Sequence, residues 1–263
     1  MLYNYKTLCK DIAHLSPVVI GKSVEGRDIF AVHKGKPTGF QILIHGAIHA
    51  REVITSPLVL KMFEDYNGQM GLWCVPMLNP DGVEILSENP LWKANARGVD
   101  LNTNFPAKWG TGVQNVRVSG AENYIGKCPA SEPEVRAIMG FTSSKPFIAT
   151  LSYHSKGEEV YWGFDGVYPQ AKLTKLIADK MGYELKTSVD SAGGYKDWYV
   201  QEFGGMGLTV EVGSDEWEHP IGMEHLGVIY ERHVGVLELI DNEKTRILHE
   251  KSVATGRKSG WYK

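Results

Sequence analysis

The sequence has few cysteines, and none of them is arranged to do structural work. Three in 263 residues (Cys9, Cys74 and Cys128) form no CxxC pair and are odd in number. That argues against a disulfide framework and for a reducing compartment. No apolar run reaches the length of a membrane span, which leaves no membrane-spanning segment to propose. Charge of either sign is not in excess: 28 Lys and Arg stand against 31 Asp and Glu, a net charge of −3, and this gives no case for nucleic acid or an anionic membrane as partner. The opening residues Met1–Thr7 lack a cationic stretch followed by an apolar one, so no secretory signal is read and the expected location is cytoplasmic. Repeats, low-complexity tracts and linkers are also missing. One domain over residues 1–263 is the expectation. What is present is ordinary for a folded protein, with 43% hydrophobic and 22% charged residues, alongside 29 glycines for turns and close backbone approaches.

Periodicity predicts alternating strands and helices. A short amphipathic helix over 3–15 ends before Pro17, and a hairpin over 18–32 leads to a strand at Phe40–Ile44. A helix follows at 53–66, then a strand at 72–77 and a turn at Asn79-Pro80-Asp81-Gly82. Residues 87–131 are rich in Gly, Asn, Pro and Trp and show little period, as functional segments of compact domains do. A helix capped by Ser131 is predicted over 132–143, strands at 147–153 and 159–162, and a helix over 169–181. A loop at 191–194, a short helix at 196–203, a strand at 208–212 and one long helix at 224–239 complete the chain. This order points to an α/β fold with a mixed, mostly parallel sheet covered on both faces.

In such sheets ligands gather beyond the carboxyl ends of the strands. His49, Glu52, His154 and Glu211 all fall there. Taken alone, His49-x-x-Glu52 is also what a capped helix start with a surface glutamate looks like. Likewise His154 alone reads as a core-edge histidine, Arg51 as a solvated charge and Asp100 as a turn former. Glu211 within Thr-Val-Glu-Val is different, because an unpaired buried carboxylate is costly. Together, two histidines and a carboxylate form a catalytic zinc arrangement with a fourth position for water, and Glu211 is placed to act as the separate general base. Asp100 is a candidate partner for the second ring nitrogen of a ligating histidine. His45 reads as structural, and His14, His219, His225, His233 and His249 as surface or helix residues.

Taken together these residues resemble the zinc metallocarboxypeptidase family. The resemblance is carried by His49-Ala50-Arg51-Glu52, Asn79-Pro80-Asp81-Gly82, Gly98-Val99-Asp100-Leu101-Asn102, Ser131-Glu132-Pro133-Glu134, Ser152-Tyr153-His154-Ser155, the loop from Gly193-Gly194 to Asp197-Trp198, and Val210-Glu211, in the family's order over 40–215. It implies a three-layer α/β/α sandwich around a mixed, mostly parallel eight-stranded sheet, with one zinc ion per chain. It also implies Glu211 as base, Arg51 on the oxyanion and Asn102 on a substrate carboxylate.

Three departures stand out. The family's Asn-Arg-Asn is Asn102-Thr103-Asn104 here, and Thr103 lacks the charge of a carboxylate clamp. The place of the mobile loop tyrosine falls near Val189, with Tyr195 the only tyrosine nearby. A second oxyanion arginine is matched by either Lys93 or Arg97. The run from Trp92 to Asn102, followed by Phe105–Trp109, is similar to the branch that cleaves the γ-D-glutamyl–diaminopimelate bond of bacterial cell-wall peptides. That branch implies a muropeptide substrate, with Lys196 for a carboxylate and Asp190 for an amine; each also reads as a solvated loop charge. The rivals are a conventional carboxypeptidase on L-peptides, a zinc deacylase of N-acyl amino acids, and a non-catalytic peptide-binding homologue. Oligomeric state and the metal used in vivo are not legible.

Overall fold

The computed structural model describes residues 2–187, 190–243 and 247. Val189 and His249, both weighed above, lie outside the described residues. One sheet organises the chain. Its strands are β1 (Val18–Lys22), β2 (Asp28–Lys34), β3 (Gln41–His45), β4 (Gly71–Val75), β5 (Phe147–His154), β6 (Glu159–Trp162), β7 (Glu184–Thr187) and β8 (Met206–Glu211). Their spatial order is β1-β2-β4-β3-β5-β8-β6-β7. The inner strands β4, β3, β5 and β8 run parallel, β2 is antiparallel to both its neighbours, and the parallel pair β6–β7 joins β8 antiparallel. This is the mixed eight-stranded sheet that the family resemblance implies.

The helices are α1 (Tyr5–Ile12), α2 (Thr55–Asp65), α3 (Pro80–Ile85), α4 (Pro133–Ser143), α5 (Ala171–Met181), α6 (Tyr195–Phe203), α7 (Leu226–His233) and α8 (Val236–Asn242). Two cores follow from the strand period of two. Ile42 and Ile44 pack with Leu58, Val59 and Met62 of α2 on one face, while Leu43 packs with Ile138 of α4 and Trp198 of α6 on the other. Burial on both faces is why the central strands read as unbroken apolar runs.

The structure revises several element boundaries. Asn79-Pro80-Asp81-Gly82 opens helix α3 rather than a turn, with the Asn79 side chain accepting from Gly82 N and Pro at the first position. Strand β7 had no clear signature, since Glu184–Thr187 is an edge strand with no fully buried residue. Glu132, not Ser131, occupies the cap of α4, and Ser131 Oγ turns to the Glu132 carboxylate at 2.7 Å. The long helix expected over 224–239 breaks into α7 and α8, because Gly235 adopts a left-handed φ of 75° between them.

Candidate metal centre and substrate cavity

β3, β5 and β8 end at one edge of the sheet, and register places His154 directly beside Glu211. The chain leaving β3 is bent by Ala47, which sits at φ 48° in the left-handed region. Such strain persists where surroundings enforce it. Here Ala47 N donates to Thr55 Oγ1 at 2.8 Å, Asn79 N donates to Ala47 O at 3.0 Å, and Asn79 Nδ2 donates to Ile48 O at 3.2 Å. Gly46 packs so closely on α2 that a Cβ there would meet Thr55 O at 2.7 Å. The bend delivers His49 and, through a 3₁₀ turn over Ala50–Glu52, the Glu52 carboxylate.

His49 Nδ1 lies 2.8 Å from Glu52 Oε1, His154 Nδ1 lies 3.0 Å from Glu52 Oε2, and the two Nδ1 atoms are 3.3 Å apart. All three side chains are buried. Among the described residues this is the group suited to hold a metal ion, with ligand atoms all within 4.8 Å of one another. Two nitrogens bound about 2.0–2.1 Å from a tetrahedral zinc would themselves lie about 3.3 Å apart, so the Nδ1 spacing fits that ion. The outward ring nitrogens fit it too. His49 Nε2 faces Asp100 Oδ1 at 3.0 Å and His154 Nε2 faces Ser152 Oγ at 3.0 Å, which directs both Nδ1 lone pairs inward. Electrostatics point the same way. Burial alone would depress the His49 imidazolium, but Glu52 and Asp100 outweigh it and raise it to about 9. Glu52 is held well below the usual carboxylate range, because its two histidine neighbours overcome the burial that would raise it. The spot is built to hold positive charge.

A cavity of about 500 Å³ opens beside these three residues. It is lined by Glu211, Arg51, Asn102, Thr103, Asp190 and Lys196, all of which the sequence nominates. Burial first, and then the Glu52 charge, push the Glu211 carboxyl well above its ordinary value. Arg51 pairs with Glu122 at 2.9 Å. Asn102 Oδ1 accepts from Tyr195 N at 3.0 Å, and its amide nitrogen stands 3.4 Å from His154 Nε2. Thr103 spends its hydroxyl on Asp100 O at 2.9 Å. Lys196 is buried, donating to Gly163 O and to Asp197 Oδ1 at 2.6 Å each. It is therefore not a solvated loop charge, whereas Asp190 is exposed at the cavity wall.

One nomination fails, and the one tyrosine near the loop does not stand in for the absent one. Arg97 does not line the cavity; it is an exposed side chain 3.6 Å from Glu132, and Lys93 is the cation in the site, 2.7 Å from Asp100 Oδ2. Tyr195 is fully buried with its hydroxyl 3.1 Å from Thr142 Oγ1, so it is not a mobile cavity tyrosine. The structure also adds residues set aside or missed in the sequence. His219, read as a surface residue, lines the cavity, and so does Tyr161 of β6. Strand alternation was the available signal for Tyr161, since it lies two residues beyond Glu159, which sits opposite Glu211. His219 lies in an irregular segment and had no such signal. His233, also read as surface or helix, is buried in α7, with Nδ1 2.8 Å from Ile229 O. His45 is structural as expected, buried edge-on against Tyr195 at 4.4 Å.

An α/β sheet whose strand ends converge on two histidines, a glutamate and a free carboxylate beside an open cavity defines a metallohydrolase. The comparisons with known proteins make that class specific. The chain belongs to the zinc carboxypeptidase family, whose model matches residues 1–219, and it is a zinc metallopeptidase. It is 30% identical over 283 aligned positions to γ-D-glutamyl-L-diamino acid endopeptidase 1 of Lysinibacillus sphaericus, covering 89% of this chain and 71% of that protein. The fold is similar to that of bovine thrombin-activatable fibrinolysis inhibitor, with a TM-score of 0.76, 21% identity and coverage of 93% and 94% of the two chains. It is also similar to murein-tripeptide amidase MpaA of Escherichia coli O157, with a TM-score of 0.62, 20% identity and coverage of 86% and 91%. Among the described residues no helix is long and apolar enough to cross a membrane.

Proposed function

We propose that this zinc peptidase hydrolyses the γ-D-glutamyl–meso-diaminopimelate bond of murein peptides, acting on soluble muropeptides in the cytoplasm. The observation that carries this reading is Thr103. Its side chain is short, uncharged and turned onto Asp100 O, leaving the position of the family's carboxylate clamp without a cation. A conventional carboxypeptidase needs that charge for the C-terminal carboxylate of its substrate. The cavity lining still includes three cations, Arg51, Lys93 and Lys196. That suits a substrate with several carboxylates, and the endopeptidase relative supports the same bond.

In this reading His49, Glu52 and His154 hold the zinc ion. When bound, zinc supplies Lewis acidity toward a carbonyl and lowers the pKa of a water. Glu211 takes a proton from the attacking water and returns it to the leaving amine; the burial that raises its carboxyl makes it a stronger base than an exposed glutamate. Arg51 offers its guanidinium to the developing oxyanion. Asp100 fixes the His49 ring, and Lys93 holds Asp100 charged.

The test is mass spectrometry of products from L-Ala-γ-D-Glu-meso-diaminopimelate with zinc-loaded enzyme. The expected products are L-Ala-D-Glu and free diaminopimelate. Release of C-terminal residues from ordinary L-peptides, with the γ-D-glutamyl bond untouched, would instead favour the conventional carboxypeptidase.

A further inference from the structure

One end of the cavity is built by β6, β7 and the start of α6, and it contains two polar groups with unspent capacity. Lys196 is 4% exposed and lines the cavity. Its ammonium carries three N–H donors, of which Gly163 O and Asp197 Oδ1 take two. Tyr161 lines the same cavity, and its hydroxyl donates to Glu159 Oε2 at 2.5 Å. With its proton committed there, the phenol oxygen can only accept from a cavity ligand, and the neighbouring carboxylate polarises it into a better acceptor. Burial and the Glu159 bond raise the phenol to about 12, so it keeps that proton at neutral pH. Behind it, Lys186 pairs with both Glu159 and Glu184, leaving the trio one negative charge in excess. Gly163, whose carbonyl takes one Lys196 donor, follows Tyr161 by two residues in the chain. An acceptor and a donor thus line one cavity.

We propose that Tyr161, held by Glu159, accepts from a substrate ammonium while Lys196 donates to the carboxylate beside it, so that this end of the cavity reads an α-aminocarboxylate head group. The inference rests on the reading above and deepens it. It assigns the amine to Tyr161 rather than to exposed Asp190. It also separates diaminopimelate, which carries a distal amine and a distal carboxylate, from lysine, which carries the amine alone.

The test is calorimetry of the zinc-loaded protein with meso-diaminopimelate, 2-aminopimelate (no distal amine) and lysine (no distal carboxylate), each acetylated on its proximal amine so that only the distal end can present the head group. Hydrolysis of the three corresponding γ-D-glutamyl tripeptides runs alongside. Diaminopimelate is expected to bind about tenfold or more tighter than either analogue, the scale of one hydrogen bond to a charged group. Tyr161→Phe should erase the preference over 2-aminopimelate, and Lys196→Met the preference over lysine. Lys196→Met also strips Asp197 of its partner, so its thermal melt is recorded; if it does not fold, Tyr161→Phe decides the matter alone. No preference in the parent, or an undiminished preference in Tyr161→Phe, overturns the proposal. Intact tripeptides with the binding preference preserved would sink the proposed bond and leave the head-group pocket standing. Cleavage without any binding preference would do the reverse.

Discussion

Asp100 is the sharpest point at which to probe the metal centre, because it touches His49 without being placed to hold the ion itself. Its Oδ1 lies 3.0 Å from His49 Nε2 and accepts from Asn102 N at 2.9 Å, and its Oδ2 lies 2.7 Å from Lys93. Asp100→Asn keeps the volume and one acceptor. It removes the charge that holds the imidazole with Nδ1 pointing inward, and it sets an amide N–H₂ against the Lys93 ammonium. Losing such a partner weakens metal binding by about 10–100-fold, or about 1.4–2.7 kcal/mol. At free zinc about 1,000 times the parent's dissociation constant, the parent gains about 4.1 kcal/mol of stability on binding, whereas the variant would gain only about 1.4–2.7. At about 2–4 °C per kcal/mol for a chain of this size, the zinc-induced rise in Tm should shrink by roughly 3–10 °C. Chelator-competition titration measures the affinity directly, and melts of both metal-free proteins separate this from any general loss of stability. An unchanged zinc affinity in Asp100→Asn would refute the argument that Asp100 orients His49.

Glu211→Gln should lower kcat by about 10²–10⁴ while leaving zinc affinity within about twofold; comparable turnover would remove Glu211 as the base. The parent's kcat/KM should fall as pH drops through a value above the ordinary glutamate pKa, since burial and Glu52 raise Glu211 and the base must be ionised. His233 is depressed by burial to about 4, so its contribution to stability is full above the ordinary 6.5 and drains as pH falls toward 4. In metal-free protein His233→Phe should flatten that loss by about 2 kcal/mol between pH 7 and 4.5, as read from urea unfolding, and an unaltered slope would contradict it. Gly46→Ala drives a methyl group into Thr55 O and should cost about 1–3 kcal/mol of overpacking, together with weaker zinc binding through the displaced His49 turn. A variant as stable as the parent would show that the turn yields freely.

Much of the candidate site was legible because it depends on local rules. Unbroken apolar runs identify strands buried on both faces, and parallel strands share one carboxyl edge. Residues ending such runs, His154 and Glu211, or following one closely, His49 and Glu52, were bound to meet there. The same logic failed where packing between distant segments decides. Lys93 and Arg97 are both cations in one irregular stretch, and nothing local distinguishes them. The fold turns Lys93 toward Asp100 and leaves Arg97 outside, beside Glu132. Helix α3 was hidden in a motif that also reads as a turn, and edge strand β7 lacked the apolar period.

By itself, then, the sequence indicated the fold class and nominated a ligating set and a base from residue type at strand ends, while the family resemblance marked the missing clamp charge at Thr103. Tertiary structure alone decided what surrounds them. It buried Lys196 against Gly163 and Asp197, aimed Tyr161 into the cavity with its proton given to Glu159, and brought in His219 from beyond β8. The physical reason is range. Strand and helix periods are set by neighbouring residues, but a polar side chain's partner depends on which segments, tens of residues apart, the sheet order brings together.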